Sequence, residues 1–368
     1  MRAVRGDGGP GPAEPPLGLL PLRGAGGEPV DLRRTLGSHG VAGLPPASIA
    51  GDLASMAVTL AAPGGARTVS VSRARPGEPP AVAVNRADSG PPPAAAAAAA
   101  LTATVRRMLC LDDDLSGFYR RAEADPNLAW ACAGAGRMLR SPTVFEDVVK
   151  TVCTTNCAWS ATERMVGALV AHLGEAAPGG ERDDAGTPDP DAAPGAHAGR
   201  AFPTPAALAA AGDEFYRDVA RAGYRGARLR AIAAAVASGD LDLEALSAPR
   251  AELSDEAVEE RLLALPGVGP YAAAHVMMML GRHSRLILDS WTRPKYARLM
   301  GRQPGKLIAD KTMGRRFRAY GADAGLAERP SRVPGQARPR PPTVSAGSSS
   351  PSRSRRARPG PCGRRRRA

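Results

Sequence analysis

Leu265-Pro266-Gly267-Val268-Gly269-Pro270 is the stretch on which the reading of this chain turns. Apolar residues at helical spacing precede it over 255–265, and an apolar run over 271–280 follows at once. Pro270 falls in the first turn of the second helix, where a missing N–H costs nothing. The two glycines permit positive φ and close backbone approach. A hairpin of this kind leaves bare amides at a helix N-terminus, where a phosphate oxygen can bind. Gly-Val-Gly is common, and for the tripeptide alone a plain αα-hairpin without a ligand is the simpler reading.

The next segment changes that balance. In Leu286-Ile287-Leu288-Asp289-Ser290-Trp291, Asp289 lies 20 residues beyond Gly269, after an apolar run and before a helix expected over 290–300. As an N-cap, Asp is among the best residues. As a chemical group, it is a carboxylate suited to sit beside a sugar whose glycosidic bond is breaking. The oxocarbenium-like transition state needs a nearby negative charge, and water then attacks the cation. The two roles are compatible, because a cap fixes the carboxylate in place.

Outward from this segment the chain reads as helical. Apolar periodicity predicts helices over 115–124, 144–151, 160–173, 205–211, 213–222, 227–238 and 241–246, and the alanine run 94–100 leads into a helix through 102–109. Residues 174–200, rich in Ala, Gly, Pro and Asp, read as an exposed loop. Nearer the N-terminus, 57–60, 68–72 and 81–85 alternate apolar and polar residues. They are separated by Pro63-Gly64-Gly65 and Pro76-Gly77-Glu78-Pro79-Pro80, and predict an antiparallel β-meander. The expected fold class is α+β: an N-terminal antiparallel β domain followed by two mainly α-helical domains carrying a helix-hairpin-helix motif. The expected boundaries are a disordered 1–28, a β domain and junction over 29–100, a helical region over 101–325 with the hairpin near 255–281, and a disordered Arg/Pro-rich tail over 326–368.

Composition bounds the function. The net charge is +13, yet residues 331–368 hold eleven Arg and no Lys, Asp or Glu, so +13 less eleven leaves +2 for the rest. Only four of the 49 basic residues are Lys, and Ala is heavily used, a bias of GC-rich genomes that makes Arg abundance weak evidence for nucleic-acid binding. The tail reads either as a basic arm adding sequence-blind DNA affinity or as a frame-shifted reading of GC-rich DNA. No apolar run approaches the roughly 20 residues of a membrane span, and no secretory signal is evident. Five cysteines are too few and too scattered for a disulfide scaffold, which points to a reducing cytoplasm.

The hairpin and Asp289 together resemble the helix-hairpin-helix (HhH-GPD) DNA glycosylase superfamily, in its 3-methyladenine / 8-oxoguanine branch. The resemblance extends to other segments. Ser141-Pro142-Thr143-Val144-Phe145-Glu146, Thr154-Thr155-Asn156-Cys157 and Ala222-Gly223-Tyr224-Arg225 are similar to segments of 8-oxoguanine glycosylases. Asp31-Leu32-Arg33-Arg34-Thr35-Leu36 and the meander fit the N-terminal β domain of the branch. In all, the resemblance covers roughly 30–325. It implies base-excision repair: a monomer that binds double-stranded DNA containing a damaged base, flips out a purine and hydrolyses its N-glycosidic bond.

By resemblance, Asp289 is the catalytic carboxylate, and Gly267, Val268, Gly269 and Pro270 anchor the DNA backbone. Asn156 fills the gap left by the extruded base; the alternative is a helix cap. Tyr224 and Arg225 wedge the duplex or contact its backbone; the alternative is a structural turn. Bifunctional members carry a Schiff-base lysine where this chain has Tyr271. A phenol does no amine chemistry, so the expectation is a monofunctional enzyme. In 3-methyladenine glycosylases an aromatic residue there stacks on the flipped base. Tyr271 can do so for a cationic alkylated purine, or simply pack between helices. His275, one turn beyond, is a pocket residue or plain packing. For Trp159 and Trp291 core packing is the default. The lesion stays open between an alkylated purine and 8-oxoguanine or a deaminated purine, and a non-catalytic hairpin clamp is the rival class. No iron–sulfur cluster is expected, because Cys153 and Cys157 form a lone pair and Cys110, Cys132 and Cys362 are scattered. The family implies a monovalent cation at the hairpin carbonyls. The expected location is cytoplasmic, associated with the nucleoid.

Overall fold

The alternating stretches near the N-terminus pair into one five-stranded antiparallel sheet. In the computed structural model, which describes residues 14–74, 80–126, 128–180, 199–288, 292–299 and 308–328, the strands are β1 (Gly18–Pro21), β2 (Ala47–Ile49), β3 (Ser55–Leu60), β4 (Arg67–Arg73) and β5 (Ala81–Arg86). The order across the sheet is β1-β5-β4-β3-β2. The three central strands are the expected meander, with Val58 opposite Val69 and Val71 opposite Val84. One face is apolar: Val69, Val71, Val82 and Val84 are fully buried against Leu101, Val105 and Met108 of α2 (Ala95–Met108), which covers the sheet. Burial of each such side chain contributes about 1.5–3 kcal/mol. A short helix, α1 (Leu32–Leu36), adds Leu32 and Leu36 to this core. Its N-cap is Asp31, whose carboxylate accepts from the Arg34 N–H.

Two strands went unread in the sequence. The expected disorder over 1–28 does not hold for residues 14–28. Leu17 N–H donates to the Val84 carbonyl at 2.8 Å, β1 zips along β5 from Gly18↔Val84 to Pro21↔Ala81, and Leu20 and Leu22 are buried in the sheet core. Gly18 is needed there, because a Cβ would meet the Thr102 side chain at 2.5 Å. Residues 1–13 lie outside the described residues. Glu28 is buried as well. Its carboxylate accepts from the Leu115 N–H at 2.8 Å and pairs with the buried guanidinium of Arg137, which also donates to the Cys110 and Asp113 carbonyls.

The helical region comprises α3 (Ser116–Glu123), α4 (Val144–Thr154), α5 (Trp159–Leu173), α6 (Pro205–Ala210), α7 (Arg225–Ser238), α8 (Asp255–Leu263), α9 (Pro270–Met279), α10 (Thr292–Leu299), α11 (Asp310–Phe317) and α12 (Ala324–Glu328). They share one continuous core. At its centre is α9, buried from Ala272 to Met279, as a helix apolar on every side must be. Against it pack α4, with Val148, Val149 and Val152, and α8, with Val258 and Leu262, while Leu229 and Ile232 of α7, which packs on α4, belong to the same core. Two expected helices are shorter than read. The one expected over 213–222 runs over 213–219 and ends in a π-helical turn, Phe215–Val219, closed by Ala220 N–H on the Phe215 carbonyl at 2.9 Å; 241–246 becomes a short 3-10 turn, Glu244–Ser247. The loop over 174–200 is tied at its base by the bridge Ala176↔Arg200, and its interior, 181–198, lies outside the described residues. The helical region continues past the expected limit of 325, since Leu326 and Ala327 of α12 are buried in the same core. The rest of the tail lies outside the described residues.

Inside α4 is a buried charged group. Glu146 pairs with Lys150 at 2.6 Å, Lys150 donates to the Leu44 carbonyl at 3.3 Å, and the Ser141 N–H donates to Asp147 at 3.0 Å. Burial pushes the Asp147 carboxyl up to about 6, with the Ser141 hydrogen bonds opposing. The folded state therefore holds this proton more tightly than the unfolded chain, so the group's stabilisation is present at low pH and lost as pH rises through about 6. Asp147→Asn is expected to shrink the fall in melting temperature between about pH 5 and about pH 7. An unchanged fall in the variant overturns the assignment.

Candidate functional site

The hairpin forms for local reasons. Ser254 caps α8 by accepting from the Ala257 N–H at 3.2 Å, and Asp255 and Glu256 stand in the first turn, where the helix dipole favours acidic groups. After Leu265, Gly267 takes φ +91, a left-handed conformation that glycine adopts without strain. Val268 turns inward into the helical core, and its N–H closes on the Leu265 carbonyl at 3.1 Å. Gly269 and Pro270 stay exposed, and nothing lies within 4 Å of where a Gly269 side chain would begin. Pro270 opens α9, with Ala273 N–H returning to the Gly269 carbonyl at 2.9 Å. The turn therefore presents open backbone at the N-terminus of a helix, the arrangement suited to a phosphate oxygen. Among the described residues, the Pro266 and Val268 carbonyls receive no backbone N–H, so the loop retains oxygen donors of the kind a monovalent cation takes. Also among the described residues, no cluster of His, Cys, Asp and Glu has metal-site geometry, and Cys110, Cys132, Cys153 and Cys157 are free thiols.

A second set of predicted residues meets beside this hairpin. Asn156, at φ +50, directs its amide to the Tyr224 hydroxyl at 3.4 Å. That hydrogen bond holds the phenol below its ordinary pKa. Tyr224 is 49% exposed at the N-terminal end of α7. Arg225 behaves differently from the expected DNA contact. It is buried, its guanidinium donates to the Thr155 and Ala222 carbonyls, and it lies 4.5 Å from the Tyr224 ring. Arg225 thus ties the 155–156 turn to the turn that carries Tyr224. Arg228, which sequence reasoning missed, also covers Tyr224, with its guanidinium carbon 4.6 Å from the ring centre. Its Cδ lies 2.8 Å from the point where a Cβ on Gly267 would stand. Asn156, Tyr224, Arg228 and Gly267 therefore form one connected strip, though the motifs holding them are far apart in sequence. The available signal was the i, i+3 spacing of Arg225 and Arg228 on one helix.

On α9, Tyr271 is 40% exposed and His275 is 6% exposed, their rings 5.7 Å apart. The stack continues to His39, edge-on to His275 at 5.8 Å. His39 comes from the segment between α1 and β2, and its Nε2 lies 2.7 Å from the Leu139 carbonyl. It was missed because a single His in a turn has no periodic signal. Trp159 is half-buried against the core, with its indole N–H donating to Glu163 at 2.7 Å. Asp289 and Trp291 lie outside the described residues, which resume at Thr292, the start of α10.

No family model matches the sequence, and no curated protein matches it. Solved structures do. The 3-methyladenine DNA glycosylase from Archaeoglobus fulgidus is 19% identical at a TM-score of 0.59, the match covering 84% of this chain and 96% of that one. MBOgg1 in complex with a low-affinity DNA ligand is 19% identical at 0.57, covering 81% and 89%. The 8-oxoguanine glycosylase/lyase of Clostridium acetobutylicum, in complex with double-stranded DNA bearing cytosine opposite 8-oxoG, is 20% identical at 0.52, covering 74% and 82%. The chain thus has the α+β fold of these DNA glycosylases, with its antiparallel sheet ahead of the helices.

Proposed function

We propose that this chain is a monofunctional DNA N-glycosylase of base-excision repair, acting as a monomer on double-stranded DNA and releasing an alkylated purine. The observation that carries the reading is the strip from Asn156 through Tyr224 and Arg228 to Gly267, ending at the open backbone of Gly269 and Pro270. A surface that joins a phosphate-suited helix N-terminus to an exposed aromatic wedge fits a bent duplex. The hairpin binds the backbone, while Asn156 and Tyr224 hold the gap. The flipped base stacks on the exposed, electron-rich ring of Tyr271, which favours a cationic alkylated base.

The Asp289 carboxylate then stabilises the oxocarbenium. As the C1′–N bond breaks, its electron pair leaves with the base. Water forms the new C1′–O bond and gives its proton to Asp289. This role rests on the spacing of Asp289 from the hairpin. A monovalent cation held by the free hairpin carbonyls would add charge at the bound phosphate. The site of action follows as the cytoplasm, at the nucleoid.

The test is single-turnover excision on labelled duplexes carrying 1,N6-ethenoadenine, a 3-methyladenine mimic, hypoxanthine, uracil or 8-oxoguanine, each with and without hot alkali. The expected result is strand cleavage only after alkali, fastest on an alkylated purine. Cleavage without alkali overturns the monofunctional assignment, and 8-oxoguanine as best substrate overturns the alkylated one. Binding with no excision of any lesion reduces the protein to a clamp.

A further inference from the structure

We infer that Arg228 is a phosphate-binding residue of the DNA interface, occupying the step between the hairpin and the Tyr224 wedge. The inference rests on the DNA-binding reading above and adds to it a residue outside the recognised motifs. Three observations converge. Arg228 is exposed, and among the described residues it has no carboxylate partner. Of the arginines near it in sequence, Arg217 pairs with Asp218 and Arg230 with Asp213, both at 2.6 Å. The unpartnered guanidinium lies 4.6 Å from the Tyr224 ring centre, and the stem of the same side chain passes the Cβ position of Gly267 at 2.8 Å.

This placement gives the arginine both anchors it needs. The Tyr224 face orients the planar fork, and the side-chain-free backbone at Gly267 lets the stem run along the hairpin. A DNA strand whose backbone meets the open end of α9 and whose bases are wedged at Tyr224 must pass between them. The group nearest that path is a cation with open N–H donors. Arg225 cannot serve in its place, because it is buried and its guanidinium is turned onto the Thr155 and Ala222 carbonyls.

The experiment measures duplex affinity against salt, with full-length protein and undamaged and ethenoadenine-containing duplexes, for wild type, Arg228→Gln, Arg228→Lys and Arg230→Gln. One phosphate contact contributes about 0.9 to the slope of log K against log salt. Arg228→Gln is expected to lower the slope by about that amount and to weaken both duplexes alike, by about 3–10-fold near 0.1 M salt. Arg228→Lys keeps the charge and is expected to keep the slope. Arg230→Gln removes a charge already neutralised by Asp213 and is expected to leave slope and affinity unchanged. Arg228 is exposed, so its removal leaves no buried group without a partner, and circular dichroism verifies the fold.

If wild type binds DNA and Arg228→Gln matches wild type, or Arg230→Gln lowers the slope equally, the inference is overturned and the glycosylase reading stands. If wild type binds neither duplex, the glycosylase reading itself fails.

Discussion

Asp289→Asn is expected to lower excision by about a thousandfold or more while leaving duplex binding within about twofold of wild type. The substitution removes the charge and little else. Asn caps a helix about as well as Asp, so if Asp289 serves only as a cap, the variant keeps both its stability and its activity. A carboxamide of the same shape cannot offset the positive charge growing on the sugar, nor take a proton from the attacking water. Single-turnover rates at saturating protein separate the two roles, because binding drops out of the comparison. An Asn variant that excises at the wild-type rate removes Asp289 from the chemistry.

The second large effect is on stability. Glu28→Ala is expected to cost about 3–5 kcal/mol, the cost of leaving a buried charge without its partner. Arg137 has a fully buried side chain whose ionic partner is Glu28. The same carboxylate receives the Leu115 N–H just ahead of α3, so its loss also leaves a buried donor unmatched. Replacing both members, Glu28→Gln with Arg137→Met, is expected to recover part of the loss, since the buried charge leaves with its partner. Urea denaturation measures both. A cost below about 1 kcal/mol for Glu28→Ala shows that water or another group reaches Arg137.

How much was legible in the sequence follows from how local each signal is. The hairpin is decided within six residues by two glycines and a proline, and it folds as read. The meander shows because Val69, Val71, Val82 and Val84 alternate between turn clusters. β1 carries no such pattern. Its four residues, Gly-Leu-Leu-Pro, become a strand because β5 has an edge to pair with, and Leu20 then has a core to enter. Arg225 reads as a surface cation by its type, yet the Thr155 carbonyl, distant in sequence, draws it inside. His39 enters the aromatic stack only through the packing of the sheet domain on the helices. Residues whose roles depend on a partner far along the chain were the ones that sequence reading missed or misplaced.

The pairing of β1 with β5 sets an order of events during synthesis. Leu20 leaves the ribosome well before Val82, its partner in the sheet, so the first strand made is the last able to dock. Until it does, the outer edge of β5 has unpaired N–H and C=O groups over a run with buried valines, a template that any other extended chain can extend. Non-local closure of this kind also slows folding, because the intervening loop must be ordered first. A version of the protein shortened to begin after residue 22 is therefore expected to accumulate as aggregate, even though it keeps the hairpin, Tyr224 and Asp289 intact.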